Sequence, residues 1–393
     1  MTAPGRHVLY VQPNSEVGGS DIALARTIEA MAETGQRSSV VLPGDGPLVP
    51  RLRAAGAELH FLPMQQLRTL PSPAYQARYL GRFPGTVRRL AALMRQIGPD
   101  LVHGNSLYCL YGAFAARRAR VPYLWHVREM APRVPLLTRA YAGMLSALSD
   151  TVLAMTPACL DPLYPRGWPT HAVTMPDALD GPAFRAGLDR GRLRRELGIA
   201  PGRPIVGAAA RLDPWKGLPV FLEAAARVAQ ARPDAVFVIA GGAPAGLEAH
   251  EAELHAQAAR LGLGPDRLHF LGWRYRLADM ADVMAGFDLF CHTSIQPEPF
   301  GLVLIEAMAV ETPVIATAAG GPLSIIEPGL SGLLTPPGDA GALEVAVLRL
   351  LNDPDLARRI GTAGRARQED EFSVPRFRQR LSDIYDRTVA VAG

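Results

Sequence analysis

The chain is poor in lysine and cysteine and has no long apolar run. Lys216 is the only lysine among 41 basic residues, so arginine supplies nearly all of the positive charge. The cysteines are Cys109, Cys159 and Cys291; they have neither disulfide nor metal-site spacing, which favours buried thiols in a reducing cytoplasm. No apolar stretch approaches the ~20 residues that a membrane-spanning helix needs. Residues Met1–Arg6 lead straight into a predicted strand, so no secretory signal is expected.

Length and composition indicate two globular domains. With 393 residues, 48% hydrophobic and 20% charged, the chain can form two cores and is too apolar to be disordered. Predicted strands alternate with helices throughout, which is typical of doubly wound parallel sheets. In the first half the predicted strands are His7–Gln12, Ser38–Leu42, Glu58–Leu62, Asp100–His103, Pro122–His126, Thr151–Met155 and Ala172–Met175. In the second half they are Ile205–Ala209, Ala235–Gly241, Leu268–Leu271, Leu289–His292 and Val314–Ala316.

A stretch rich in proline, aspartate and glycine separates the two halves. This stretch is Pro176–Pro182, and its composition is that of a linker. We therefore predict an α/β protein with domains at 1–180 and 185–374. A helix is predicted at Asp21–Glu33, with an acidic start and Gly35 as its stop, and Pro375–Val391 is predicted to form the final helix.

Lys216 stands at a predicted junction between a strand and a helix. In the sequence GAAARLDPWKG, the strand Ile205–Ala209 breaks into a turn, and a helix is predicted at Leu218–Arg232. Arg211 and Lys216 can both reach a phosphate from such a junction, where the helix N-terminus adds its dipole. A compact ammonium suits a diphosphate in a tight pocket, where a planar guanidinium need not fit. The alternative is a surface lysine without a function.

Two glutamates bracket a second predicted loop-to-helix junction, in Glu298-Pro-Phe-Gly-Leu-Val-Leu-Ile-Glu306. The helix is predicted at Leu302–Val310, and its free backbone amides can bind an anion or sugar oxygens. Carboxylates at these positions can accept hydrogen bonds from sugar hydroxyls. Two glutamates at this spacing are weak evidence alone, because helices carry many glutamates. Following Arg211 and Lys216 among alternating strands and helices, the pattern is more specific.

Positive charge is concentrated in the first half. Up to Arg185 there are 19 arginines against 12 acidic residues, whereas the remainder has 22 basic against 25 acidic residues. Between Arg68 and Arg139, 12 arginines accompany only Asp100 and Glu129, with aromatic residues interleaved. Such a basic, apolar surface attracts anionic lipid headgroups or an anionic acceptor; the alternative is that the arginines solubilise ordinary helix faces. Nucleic acid is not expected, because no recognition motif accompanies the charge.

Taken together and in this order, the motifs resemble the retaining, nucleotide-sugar-dependent glycosyltransferases of the GT4 family. The first half contributes Gly18-Gly19, which follow the first strand, and His126, which ends a later strand where open α/β sheets bind ligands. Gly18-Gly19 is not part of a GxGxxG motif, so a dinucleotide site is not supported. The second half adds matches at Ala319-Gly320-Gly321, Glu327 and Ser331-Gly332.

Two positions depart from the family pattern. Many relatives have an aspartate directly after the histidine, where this chain has Val127, so the motif does not show how His126 is oriented. Relatives usually have asparagine at the position of Asp177, and we expect that change to affect only the hinge.

The resemblance implies the GT-B fold, in which two Rossmann-like domains face each other across a cleft and a C-terminal helix, here 375–393, crosses back to the first domain. It implies a UDP- or GDP-sugar donor bound by the second domain and a lipid-linked or saccharide acceptor bound by the first. It further implies hexosyl transfer with retention, without metal or cofactor. The setting would be cell-envelope polysaccharide or glycolipid assembly, at the inner face of the membrane.

The resemblance also assigns roles to residues. Arg211 and Lys216 stabilise the leaving diphosphate, which is electrostatic catalysis by preorganised charges. The sugar and the ribose are assigned to Glu298, Phe300, Gly301, Leu302 and Glu306. The acceptor side is assigned to Gly18, Gly19 and His126, and the catalytic set is His126, Arg211, Lys216 and Glu298.

Three alternatives to transfer make different demands on the site. A retaining glycosidase needs two carboxylates ~5–5.5 Å apart, whereas Glu298 and Glu306 accompany a phosphate-binding helix start. A sugar-nucleotide epimerase of the same fold would need no acceptor. A catalytically silent nucleotide-sugar-binding protein would need no catalytic set, and the intact set in this chain argues against it.

Overall fold

A computed structural model of the chain describes residues 5–16, 18–65, 72–274 and 277–392. The chain divides into two compact units. The first comprises the chain up to Pro176 together with the residues from Phe377 onward, and the second comprises Asp177–Arg376. The assignment of the acceptor to the first unit and of the donor to the second stays a prediction.

Over its described residues, the first unit has one sheet of seven parallel strands. The strands are β1 (His7–Val11), β2 (Arg37–Leu42), β3 (Glu58–Phe61), β4 (Leu101–Gly104), β5 (Tyr123–Val127), β6 (Thr151–Ala154) and β7 (Ala172–Thr174). Their order across the sheet is β3-β2-β1-β4-β5-β6-β7, so the direction of winding reverses between β1 and β4. Every residue of β1, β4, β5 and β6 is buried, as expected for a parallel sheet covered on both faces.

A helix lies between each pair of successive strands along the chain, as expected for a doubly wound unit. They are α1 (Gly19–Ala32), α2 (Val49–Ala54), α3 (Pro73–Ile97), α4 (Leu110–Ala119), α5 (Pro135–Leu148) and α6 (Pro157–Leu160). Helix α4 packs against α3, α5, β4 and β5. The core includes Leu90, Met94, Trp125 and Leu145, each with no exposed surface.

The second unit has the same plan, with six parallel strands over the residues described there. The strands are β8 (Ile205–Ala209), β9 (Val236–Ala240), β10 (Leu268–Phe270), β11 (Leu289–His292), β12 (Val314–Thr317) and β13 (Leu333–Thr335). Their order is β10-β9-β8-β11-β12-β13, so winding reverses between β8 and β11. The helices are α7 (Gly181–Phe184), α8 (Arg192–Glu196), α9 (Leu218–Ala231), α10 (Glu248–Arg260), α11 (Leu277–Gly286), α12 (Leu302–Ala309), α13 (Pro322–Ile325), α14 (Ala340–Asn352) and α15 (Pro354–Glu371).

The last helix, α16 (Val374–Ala392), begins in the second unit and belongs to the first from Phe377 onward. Within the first unit, Leu381 and Tyr385 are fully buried. Arg378 Nε donates to the carbonyl of Ala30 at 2.8 Å. The last helix therefore supplies part of the core of the first unit.

Each strand predicted from the sequence begins and ends within one residue of the corresponding strand in the structure. Strand β13 was not predicted from the sequence. The predicted linker Pro176–Pro182 is wrong at its end, since Gly181 and Pro182 already belong to α7. The cause is Asp180, whose carboxylate caps that helix by accepting from the amide of Ala183 at 2.9 Å.

Candidate active site

The sequence places Arg211 and Lys216 after β8 and Glu298 after β11. Winding of the second sheet reverses between these two strands, and open α/β sheets bind ligands beyond the carboxyl ends of their strands at such a reversal. The structure brings two of the three residues into contact, since Lys216 Nζ lies 2.5 Å from Oε1 of Glu298. This pair forms the centre of the candidate donor site.

Glu298 is almost fully buried and is anchored through one carboxylate oxygen. Its Oε1 accepts from Lys216, from the hydroxyl of Ser294, and from Nε2 of His292 at 3.0 Å. Burial alone would raise the pKa of Glu298, but His292 and Lys216 outweigh it and hold that pKa well below its usual range. Among the described residues, none donates to Oε2, so a ligand hydroxyl can bind there.

Lys216 is held on two sides. Its Nζ lies 4.1 Å from the centroid of the Trp215 ring, a cation–π contact, in addition to the bond to Glu298. An ammonium has three N–H donors, so this arrangement leaves hydrogens for a ligand.

Arg211 was predicted to act beside Lys216, but the structure gives it a different partner. Its guanidinium forms a 2.6 Å ion pair with Asp213, and 54% of the side chain is exposed. Lys216 is only 15% exposed. Arg211 is therefore a pre-positioned, solvated cation, whereas Lys216 belongs to a buried cluster.

The loop after Glu298 is built on close backbone contacts. Gly301 precedes α12 with a φ of 114°, a conformation that favours glycine. The amide of Gly321 donates to the carbonyl of Glu298 at 2.8 Å, and a Cβ at Gly321 would lie 1.9 Å from the carbonyl oxygen of Phe300. A side chain at this glycine would therefore displace the predicted sugar-binding loop.

The other predicted donor residues lie on or beside this loop. Phe300 is buried, and Leu302 and Glu306 are half-buried in α12. Contact of these residues with a sugar or a ribose stays a prediction.

A second polar cluster lies at the carboxyl edge of the first sheet, again where winding reverses. Asn105, after β4, donates to Gln12, after β1, at 2.9 Å, and Gln12 donates to Asp21 at 2.6 Å. Asp21 also accepts from the amide of Gly18 at 2.8 Å. Burial raises the pKa of Asp21, although these hydrogen bonds oppose that effect.

Gly18 and Gly19 are thus part of an organised helix start. Gly18 is the N-cap of α1, Gly19 is its exposed first residue, and no described atom lies within 4 Å of a Cβ placed on Gly19. Gln12 and Asn105 were not among the residues predicted from the sequence. Their signal was available, because both are polar residues directly after buried strands.

His126 lies near the end of β5 and is only 2% exposed. Its Nδ1 is 3.1 Å from Nε2 of His103, and Nη1 of Arg128 lies 3.4 and 3.5 Å from its two ring nitrogens. Burial lowers the pKa of His126 well below its ordinary value, and Arg128 adds to this effect. The imidazole is therefore neutral at pH 7, and His103 is its hydrogen-bond partner in place of the aspartate that the family motif would supply.

The arginine-rich stretch contains a continuous set of helices without acidic residues. Helices α3, α4 and α5 together hold eight arginines and no aspartate or glutamate, and we call their solvent side the acid-free face. Exposed apolar side chains lie on it, namely Leu80 (67%), Phe114 (37%), Leu136 (76%) and Leu137 (43%). Over the described residues, no helix has the length and apolar character that crossing a membrane requires.

The prediction of interleaved surface aromatics is partly wrong. Tyr79, Tyr111, Tyr123 and Trp125 are buried, because they occupy the inward sides of helices and strands. Arg128 is also buried, and Arg68 lies outside the described residues. The exposed apolar side chains of the acid-free face are three leucines and one aromatic residue, Phe114.

Two parallel doubly wound units, each with a polar cluster where its sheet reverses, define a protein of the GT-B class. Residues 18–178 match the family model for the glycosyl transferase 4-like domain, and residues 189–367 match that for glycosyl transferases group 1. The chain belongs to this family of glycosyltransferases.

Individual relatives agree with this assignment. The chain is 30% identical to a GDP-mannose-dependent alpha-mannosyltransferase of Mycobacterium tuberculosis over 371 residues, covering 89% of this chain and 90% of the relative. It is 28% identical to a 2-deoxystreptamine glucosyltransferase of Streptomyces kanamyceticus over 380 residues, covering 90% of this chain and 95% of the relative. The crystal structure of Anabaena HepE in complex with UDP-glucose superposes with a TM-score of 0.80 at 26% identity, covering 96% of this chain and 98% of that one.

Proposed function

We propose that this glycosyltransferase moves a hexose from a UDP- or GDP-sugar to an acceptor with retention of anomeric configuration and without a metal ion. The observation that carries the proposal is the buried Lys216–Glu298 pair at the reversal of the second sheet. Relatives that use GDP-mannose and bind UDP-glucose support a nucleotide-sugar donor.

The role of the cations follows from the charge that the reaction develops. Cleavage of the sugar–diphosphate bond leaves negative charge on the departing phosphate and positive charge at the anomeric carbon. The free N–H groups of Lys216 and the exposed guanidinium of Arg211 would stabilise the leaving group, which is electrostatic catalysis by preorganised donors. Because these cations supply the neutralising charge, no divalent metal is required.

The two glutamates would have different roles. Glu298 fixes Lys216 through Oε1 and would accept a sugar hydroxyl at Oε2, while the amides from Phe300 to Leu302 hold further sugar oxygens. Glu306 would bind the ribose. Retention would follow from attack on the same face as the leaving group, with the departing phosphate helping to take the acceptor proton.

The first unit would bind the acceptor. Gly18, Gly19 and His126 lie at the carboxyl edge of its sheet, and Gly19 leaves open space for a ligand. The acid-free face would dock the enzyme on an anionic bilayer that carries a lipid-linked acceptor, because arginines and exposed leucines together suit the headgroup region. The reaction would then belong to glycolipid or polysaccharide assembly at the inner face of the cell membrane.

A donor panel tests the proposal. The purified chain is incubated with UDP-, GDP- and ADP-sugars, with lipid and saccharide acceptors, and products are separated by mass spectrometry. We expect transfer from one UDP- or GDP-sugar and an α-linked product by NMR. Epimerised donor, hydrolysis alone, or binding without turnover would each replace the proposal with the corresponding alternative, and a product of inverted configuration would refute retention.

A further inference from the structure

We propose that His103 and Tyr385 are positioning residues for His126: they fix its imidazole with Nδ1 as acceptor, which leaves Nε2–H to donate to a ligand oxygen. This inference rests on the proposed role of His126 beside the acceptor. It concerns residues of the first unit only.

The geometry is an unbroken chain of buried hydrogen bonds. Gln36 Nε2 donates to the hydroxyl of Tyr10 at 3.0 Å, and the Tyr10 and Tyr385 hydroxyls lie 3.1 Å apart. The Tyr385 hydroxyl is 2.7 Å from Nδ1 of His103, and Nε2 of His103 is 3.1 Å from Nδ1 of His126. Three polar side chains, those of Tyr10, Tyr385 and His103, thus connect Gln36 to the imidazole of His126.

The direction of the chain sets where each proton lies. An amide nitrogen can only donate, so Gln36 donates to the Tyr10 oxygen, and in the proposed arrangement the Tyr10 proton goes to Tyr385. The Tyr385 proton then points to Nδ1 of His103, so His103 carries its proton on Nε2 and donates it to His126. His126 in turn carries its proton on Nε2.

Both imidazoles are neutral, as this arrangement needs. Burial lowers the pKa of His103 to about 3, with a further contribution from Arg128, and it lowers the pKa of His126 as well. A neutral imidazole has one donor and one acceptor. Each tautomer is therefore decided by the hydrogen bond that the other ring nitrogen makes.

Arg128 affects which ligand group can bind at the Nε2 edge of His126. Its Nη1 lies 3.4 Å from Nδ1 and 3.5 Å from Nε2 of His126, and both distances are too long for a strong hydrogen bond. A guanidinium can only donate, so Arg128 supplies a second donor close to the proposed Nε2–H. This edge suits a hydroxyl, carboxylate or phosphate oxygen of the ligand.

Tyr385→Phe removes one hydroxyl from the chain, and Thr388→Val is its matched control. Thr388 lies on the same helix, and its buried hydroxyl bonds to Thr151 at 2.8 Å and to the carbonyl of Ile384 rather than to His103. His103→Gln keeps an N–H donor for His126, whereas His103→Leu removes it. Thermal unfolding shows whether each variant folds.

The first readout is the tautomer of His126, measured by long-range ¹H–¹⁵N NMR with ¹⁵N-histidine and assigned with His126→Gln. We expect the Nε2–H form in the parent, Thr388→Val and His103→Gln, and mixed tautomers in Tyr385→Phe and His103→Leu. This readout needs no substrate, so it stands even where no donor is turned over.

The second readout is turnover of the donor found by the panel. We expect kcat to fall on the order of tenfold in Tyr385→Phe with an unchanged KM for the donor, a scale known for partners that orient metal-bound histidines. A His126 proton on Nδ1 in the parent would overturn the proposal. The same would follow if Tyr385→Phe matched Thr388→Val in both tautomer and kcat.

Discussion

Lys216 Nζ and Glu298 Oε1 lie 2.5 Å apart although 82 positions separate them in the chain. Each depends on the other, because a buried ammonium or carboxylate is costly without a partner. The pair also serves a purpose beyond stability in the proposed mechanism, since Glu298 fixes the direction in which the ammonium presents its remaining hydrogens.

Replacing Lys216 with alanine should lower kcat by about 100-fold or more, the scale for losing one preorganised donor to developing negative charge. Arginine should restore little, because a planar guanidinium does not fit between Trp215 and Glu298 as an ammonium does. Steady-state kinetics with the identified donor measures both effects. Arg227→Ala, at a 50% exposed arginine of the same unit, is the control, and an unchanged rate in Lys216→Ala would show that the leaving-group role is wrong.

Transfer should be independent of divalent metal. In the proposed mechanism Arg211 and Lys216 provide the charge that a metal ion would otherwise supply. Activity is measured after dialysis against EDTA and again after adding Mg²⁺ or Mn²⁺. Loss of transfer that either ion restores would contradict the proposal.

Stability of the first unit should fall on acidification. Because the pKa of His103 is lowered to about 3 and that of His126 is also lowered, the unfolded chain takes up protons below ~6.5 that the folded chain does not. Between ~6.5 and the folded values, each histidine therefore lowers the free energy of unfolding by about 1.4 kcal/mol per pH unit as pH falls. Urea unfolding of the parent and of His103→Gln from pH 7.5 to 5 measures the slope, which should be smaller in the variant; equal slopes would contradict the assignment.

Binding to anionic vesicles should depend on both charge and apolar contact. Arg82→Glu with Arg89→Glu should weaken co-sedimentation with phosphatidylserine-containing vesicles, and raised salt should weaken binding of the parent, because the attraction is electrostatic. Leu136→Ser with Leu137→Ser should weaken it at low salt as well.

The control for the leucine variant is Val345→Ser, which removes a 67% exposed apolar side chain from α14 of the second unit. It should bind vesicles like the parent. If the parent binds neither anionic vesicles nor an anionic acceptor at low salt, the arginines are only a solvated surface.

Much of the fold was predictable because buried parallel strands leave a local signal. The run Leu289–Cys291 is apolar and is followed by polar residues, so β11 and the start of the donor loop were found from sequence. Lys216 and Glu298 were identified by motif, and their contact follows from β8 and β11 being neighbours.

The hydrogen-bond partners of the site residues were not predictable from the sequence. His103 and Tyr385 are 282 positions apart, and only the placement of α16 within the first unit brings them together. In the same way, nothing local indicates that Lys216 pairs with Glu298, which lies 82 positions away. Ring orientation and choice of partner depend on packing between distant segments, whereas strand positions depend on neighbouring residues.

The position of α16 also fixes an order of events on the ribosome. The residues from Phe377 onward complete the first unit, so all of Asp177–Arg376 is synthesised before that unit is whole. At roughly 5–20 residues per second, this interval lasts ~10–40 s. During it the nascent first unit lacks Leu381 and Tyr385, and the apolar surface that they bury in the finished protein is open to chaperones.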